Sequence, residues 1–316
     1  MSATVIEGSR DAGRADAASV GGPAFIVGPA RSGTSLLYKA LCLHPDVAYI
    51  SNWAARYPAL PAMALLNRFA RSLPARRRAA WFADGANAYV YGSSRSFIER
   101  AFPTPVEGEP VYARAGVDRP GGPGSRDVAP AAALPRAFAA VTRYGGGSVL
   151  VSKRIANNLR IPLLSGVFPS ARFVVLVRDG RAVAASLAKV DWWPDSFVWW
   201  YGGTPHRWAA EGRDPWEICA RNWVEELDEI ERGLEGVPAA LVLRLRYEEL
   251  VAEPLPTLGR VAGFLGLAAD EGWRRSLGGL SFPDRNDSWR RSLEPPVIER
   301  IETIQREVLD RHGYER

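Results

Sequence analysis

Two stretches of this 316-residue chain hold residue types at spacings that suit anion chemistry. The first is Gly28-Pro29-Ala30-Arg31-Ser32-Gly33-Thr34-Ser35, between the apolar run Ala24-Phe25-Ile26-Val27 and the helical pattern that opens at Ser35. A strand that enters a glycine-bearing loop and leaves as a helix presents free backbone N–H groups and a positive dipole end to the loop. Gly33 permits close backbone approach. Ser32, Thr34 and Ser35 add hydroxyl donors, and Arg31 adds a charged planar fork. Against the nucleotide-triphosphate spacing G-x-x-x-x-G-K-[ST], Gly28, Gly33 and Ser35 fit, but Thr34 takes the lysine position. Ordinary ATP or GTP hydrolysis is therefore disfavoured. An ordinary Ser/Gly capping turn is the other reading of a lone loop.

The second stretch follows the apolar run Arg172-Phe173-Val174-Val175-Leu176-Val177, which reads as a strand. Arg178 stands at its carboxyl end, and Ser186 falls about two turns into the helix expected over 180–189. An arginine and a hydroxyl so placed suit a second anion. Asp179 comes one residue late for a magnesium ligand at a strand end, so helix capping is its expected task.

The elements that must position these loops alternate. Strands are expected at 24–27, 149–152, 172–177 and 240–245, with helices near 35–43, 58–82, 159–167 and 180–189. Trp216, Ala220, Trp223, Leu227, Ile230 and Leu234 recur at helical spacing, as do Val297, Ile301, Ile304 and Val308. Apolar strands alternating with helices predict an α/β fold, a P-loop-like three-layer arrangement with a central parallel sheet flanked by helices. Residues 1–22 read as a flexible tail and 23–316 as a single domain. A Pro/Gly-rich insertion at about 103–133 reads as a long loop, either a lid or an acceptor-binding element.

Composition narrows the classes. The chain is 47% hydrophobic and 24% charged, enough for a real core. No apolar run approaches the ~18 residues of a spanning helix. The net charge of +5 comes from 40 basic and 35 acidic residues, nearly all the basic ones arginine, with lysine only at 39, 153 and 189. That excess is too small and scattered for a general nucleic-acid surface, but it suits a pocket for a small polyanion. The two cysteines, Cys42 and Cys219, make neither a zinc site nor a disulfide framework and are expected as buried thiols in the cytoplasm.

Taken together, Gly28 to Leu37 and Arg172 to Leu187 resemble the sulfotransferases that use 3′-phosphoadenosine 5′-phosphosulfate (PAPS). Arg31-Ser32-Gly33-Thr34 followed by His44-Pro45-Asp46 is closer to the bacterial and tyrosylprotein-type branch than to the phenol and steroid enzymes. Val151-Ser152-Lys153, Phe168 to Phe173, Leu245 to Leu250 with Phe264 to Leu267, and Ser288-Trp289-Arg290 are also similar to family segments. The likeness covers roughly 24–54 and 149–312.

The resemblance implies PAPS as donor, its 3′,5′-ADP product (PAP), and no metal, because the cations are side chains. It assigns Arg31, Ser32, Gly33, Thr34 and Ser35 to the 5′-phosphosulfate, and Arg178 and Ser186 to the 3′-phosphate. Tyr247 is expected near the adenine and Ser288 or Arg290 near the phosphates. Lys153 could steady the sulfonate or be an ordinary surface lysine. The chain carries Ala48 to Trp53 after His44-Pro45, with no carboxylate where tyrosylprotein enzymes carry glutamates. The acceptor's general base is then sought at Asp191 or His206, with Glu107 an outsider; His44 and His312 are expected to be structural. The tryptophans around 192–200 could line an acceptor pocket or simply form a core wall. The implied reaction is in-line sulfonate transfer to a hydroxyl or amine of a small molecule, carbohydrate or lipid. A P-loop kinase or NTPase and a catalytically inactive nucleotide-binding protein remain the alternatives. Neither nucleic-acid binding nor stable membrane insertion is expected. The terminal helix could pair in a homo-oligomer or pack in cis.

Overall fold

The computed structural model describes residues 22–82, 101–117, 133–280, 282 and 284–315. The expected 1–22 tail therefore lies almost wholly outside the described residues, and so does much of the 103–133 insertion.

Among the described residues five parallel strands form one sheet: β1 (Ala24–Val27), β2 (Val47–Ala48), β3 (Val149–Lys153), β4 (Arg172–Val177) and β5 (Val242–Arg246), in the order β2-β3-β1-β4-β5. The sequence reading places the central strands correctly. It starts β5 too early, because residues 239–241 form a 3-10 turn before the ladder begins.

Period-two alternation sends each strand's residues to two different cores. Phe25, Val27, Phe173 and Val175 face one apolar cluster; Ala24, Ile26, Val174 and Leu176 face the other. Both faces are thus covered, which is why these strands read as continuous apolar runs rather than alternating ones. Each fully buried Val, Leu, Ile or Phe contributes about 1.5–3 kcal/mol relative to exposure.

Helix α1 (Thr34–Cys42) leaves the first loop directly. Helix α2 (Glu109–Arg114) lies inside the stretch expected to be a long loop, with Pro110 in its first turn. Helix α3 (Gly180–Leu187) follows β4 and is capped by Asp179, whose side chain accepts from the Arg181 N–H at 2.9 Å. Helix α4 (Pro215–Leu234) is capped by Asp214 and buries Ala220, Trp223, Leu227, Ile230 and Leu234 of the stripe that its spacing predicts, with Trp216 half-buried. Helix α5 (Pro295–Arg311) packs its buried face, Ile301, Gln305, Val308 and Leu309, within the chain against α3 and α4. No described helix is long and apolar enough to cross a membrane.

Candidate active site

Parallel register aligns the strand ends. Ile26 pairs with Lys153, Val27 with Val175, and Val177 with Arg246. Gly28, Lys153, Arg178 and Tyr247 therefore gather along one edge, the carboxyl edge where such sheets bind ligands.

The loop from Gly28 is fixed from below. Asn158 accepts from the Gly28 N–H through Oδ1 at 3.1 Å and donates from Nδ2 to the Gly28 carbonyl at 3.0 Å. The same Nδ2 donates to Glu226 Oε2 at 2.6 Å. Burial pushes the Glu226 carboxyl up to about 7, against the opposing hydrogen bonds from Asn158 and Trp199. Neither Asn158 nor Glu226 was singled out from the sequence. Asn158 sits in a 3-10 turn and Glu226 in a helix, and only folding brings them under the loop.

At the loop's crest Arg31 adopts a positive φ of 70°, the only non-glycine residue to do so among those described. Strain of that kind clusters at functional sites. Gly33 also has positive φ, and a Cβ there would stand 2.5 Å from the Tyr247 ring. Tyr247 is thus packed directly against the loop. The Ser32 hydroxyl is fully buried with no hydrogen-bond partner, a donor held ready in the cradle.

The two anion loops meet. Arg31 Nε donates to Ser186 Oγ at 3.0 Å, and Arg178 Nη1 donates to the Arg31 carbonyl at 3.1 Å. Arg178 also donates to Asn286 Oδ1 (3.2 Å) and the Arg285 carbonyl (2.9 Å), and its guanidinium lies 4.4 Å above the Tyr247 ring. Burial, then the charges of Arg178 and Arg285, hold the Arg31 pKa below arginine's usual range. Burial likewise lowers that of Arg178. Cations crowded into a desolvated spot favour a polyanion that replaces their lost water.

The C-terminal segment contacts Arg178 through Arg285 and Asn286, a few residues before Ser288 and Arg290, which are expected near the phosphates. Ser288 instead donates to the Arg285 carbonyl at 3.1 Å, and the exposed Arg290 pairs with Asp287 at 3.4 Å. Lys153 is not a surface lysine. It is 3% exposed and its Nζ lies 2.6 Å from Glu107 Oε1.

Asp191 and His206 are both exposed. His206 Nδ1 faces Asp195 Oδ1 at 2.9 Å, with side chains 71% and 80% exposed. None of their described hydrogen bonds or ion pairs reaches the Arg31 cluster. The segment that carries them buries Trp193 and Val198 and leaves these two side chains on its exposed side. His44 bridges backbone instead, with Nε2 on the Ala268 carbonyl at 2.9 Å and Nδ1 accepting from the Asp46 N–H at 3.0 Å. His312 caps α5, and burial lowers its pKa.

The tryptophans divide between wall and bowl. Trp193 and Trp208 are buried in a cluster that also touches Ala30 of the loop. Trp200, Tyr201, Trp208, Arg213, Glu217 and Arg221 line an open bowl of about 490 Å³.

The model of the sulfotransferase family matches residues 23–271. The chain belongs to the sulfotransferase family. Carbohydrate sulfotransferase 1 of Danio rerio is 25% identical over 166 residues, spanning 45% of this chain and 38% of that protein. The omega-hydroxy-beta-dihydromenaquinone-9 sulfotransferase of Mycobacterium tuberculosis (strain CDC 1551 / Oshkosh) is 27% identical over 169 residues, 53% of this chain and 42% of that protein. The matched region is thus about two fifths of these curated relatives' length. The fold resembles a sulfotransferase crystal structure from Mycobacterium avium, with TM-score 0.62 and 18% identity, covering 94% of this chain and 78% of that one. In this sulfotransferase-family chain, among the described residues, no group of three or more His, Cys, Asp or Glu side chains is gathered as a metal site.

Proposed function

We propose that the protein transfers a sulfonate group from PAPS to a hydroxyl or amine of a small-molecule, carbohydrate or lipid acceptor. The observation that carries the reading is the union of the Arg31 and Arg178 cradles into one cationic cluster, joined by the Arg31–Ser186 and Arg178–Arg31 hydrogen bonds.

The residues present fit the donor. Arg31, the buried Ser32 hydroxyl, the N–H groups from Gly33, and Thr34 and Ser35 would hold the 5′-phosphosulfate. Arg178 and Ser186 would hold the 3′-phosphate, with Tyr247 against the loop beside them and Ser288 and Arg290 on the flanking C-terminal segment. When bound, the donor supplies an activated sulfonate on a phosphate leaving group. Arg31 and the loop donors then stabilise negative charge that grows on the 5′-phosphate, which is catalysis by preorganised donors. The cradle also fixes the line of attack.

The acceptor classes are supported by two relatives whose names give a carbohydrate and a menaquinone derivative. A cytoplasmic location belongs to the same proposal, supported by the two buried, unpaired thiols.

Calorimetry tests the reading. We expect 3′,5′-ADP to bind tightly without magnesium and ATP to bind weakly. Tight magnesium-dependent ATP binding with no affinity for 3′,5′-ADP would overturn it in favour of a kinase or NTPase.

A further inference from the structure

Transfer to a hydroxyl needs a group that takes the acceptor's proton. Strand order narrows where that group can stand. Arg178 and Ser186, which would hold the 3′-phosphate, follow β4 on one flank of β1. The loop after β1 would hold the 5′-phosphosulfate. On the other flank of β1, beside that loop, lies the end of β3.

Lys153 ends β3 there, in register with Ile26, two residues before Gly28. Adjacent strands lie only about 4.8 Å apart. Against Lys153 Nζ, at 2.6 Å, stands Glu107, with 33% of its side chain exposed. It is buried enough to be fixed and open enough to meet an acceptor.

The chain holds Glu107 there from both sides. The Val106 N–H donates to the Ile50 carbonyl at 3.0 Å, and Ser51 bridges Pro105. Gly108 turns at φ 72° where a Cβ would stand 2.7 Å from Ile50. Beyond it, Tyr112 on α2 shares a hydrogen bond with Ser152 of β3 at 2.7 Å, and Glu109 pairs with Arg154. Other carboxylates near the sheet edge have partners away from Lys153. Asp179 holds Arg181, Glu248 accepts from the Asp179 N–H and Tyr314, Asp284 accepts from the Asn286 N–H at 2.8 Å on the Arg178 side, Glu109 pairs with Arg154, and Glu226 lies buried beneath the loop.

We propose that Glu107 is the catalytic base of the transfer and Lys153 its positioning partner; this rests on the sulfonate-transfer reading above. The acceptor O–H proton passes to a Glu107 carboxylate oxygen as the acceptor oxygen bonds to sulfur. The bond from sulfur to the bridging oxygen of the 5′-phosphate breaks, and its electron pair stays on the phosphate. Lys153 holds the carboxylate toward the loop by its ion pair. The charged and titratable groups facing Glu107 are Lys153 of β3, Arg154 just after it and Tyr112 of α2, while Ile50, Ser51 and Asn52 on the remaining side are uncharged.

The test uses the full chain. Turnover of radiolabelled PAPS is followed with water, n-octanol and N-acetyllactosamine as probe acceptors, for wild type, E107Q and E107D, with 3′,5′-ADP affinity measured in parallel. E107Q is expected to lose turnover by about 10²–10⁴-fold while binding 3′,5′-ADP within about twofold of wild type. E107D is expected to recover part of the rate, and turnover is expected to fall toward low pH in wild type but not in E107Q. Turnover by E107Q within about threefold of wild type, with the same pH profile, overturns the proposal. So does a 3′,5′-ADP complex in which Glu107 lies further than one water from the in-line position beyond the 5′-phosphate. A wild-type protein that neither binds 3′,5′-ADP nor turns over PAPS overturns the transfer reading itself.

Discussion

Arg178 Nη1 donates to the main-chain carbonyl of Arg31 at 3.1 Å, so the end of β4 physically holds the crest of the loop after β1. The two arginines are 147 residues apart in sequence. One side chain both binds an anion and shapes its neighbour's cradle.

Removing either arginine should then damage both cradles. Arg178→Ala should weaken 3′,5′-ADP binding by about 10–100-fold, since a hydrogen bond to a charged group is worth about 1.5–3 kcal/mol. Arg31→Ala should do the same. The double variant should lose less than the sum, because residues in contact couple. Calorimetry on the three variants checks this, and strictly additive losses would argue against a shared site.

Gly33→Ala meets two obstacles, a positive φ of 86° and a Tyr247 ring 2.5 Å from the new Cβ. The variant should lose about 1–3 kcal/mol of stability and most nucleotide affinity. Adding Tyr247→Ala should relieve the clash but not the backbone strain. Thermal melting with and without 3′,5′-ADP separates the two effects.

Glu226 gives stability a pH dependence of definite sign. Burial pushes its carboxyl up to about 7 in the folded protein, well above the ordinary carboxylate range. The folded state therefore holds a proton that the unfolded chain has released. The associated stability is complete at acidic pH below the unfolded value and is lost as pH rises through about 7, with a slope of at most about 1.4 kcal/mol per pH unit. Denaturant melts of wild type between mildly acidic and mildly alkaline pH should show this loss. Glu226→Gln should flatten it, and an unchanged slope in that variant would refute the assignment.

Asp179 is a structural anion. Its carboxylate takes Arg181 Nε at 3.0 Å and Nη2 at 2.9 Å, and caps α3, while Arg181 is only 2% exposed. Asp179→Ala should cost about 1–3 kcal/mol, because the buried Arg181 loses its bidentate partner and α3 its cap while Arg181 keeps Glu302 at 2.8 Å. Magnesium should leave nucleotide affinity unchanged in wild type. A magnesium requirement that vanishes in Asp179→Asn would assign Asp179 to a metal instead.

The sequence by itself determined the two anion loops, the strands that carry them and the parallel sheet. Those features are local: a run of apolar residues that both cores can bury, a glycine where the backbone must come close, and a cap where a helix begins. It also determined the stripe of α4 and the capping task of Asp179. What it did not determine was which distant groups share a site. Asn158 and Glu226 under Gly28, Arg285 and Asn286 on Arg178, and Glu107 on Lys153 carry no spacing signal, because each contact joins segments that meet only when the sheet is assembled. The same limit explains the attention drawn to Asp191 and His206. Composition marks them as reactive groups near an anion helix, but only the tertiary path decides that this segment turns its charges to solvent while a carboxylate from 46 residues before Lys153 is folded against the sheet edge.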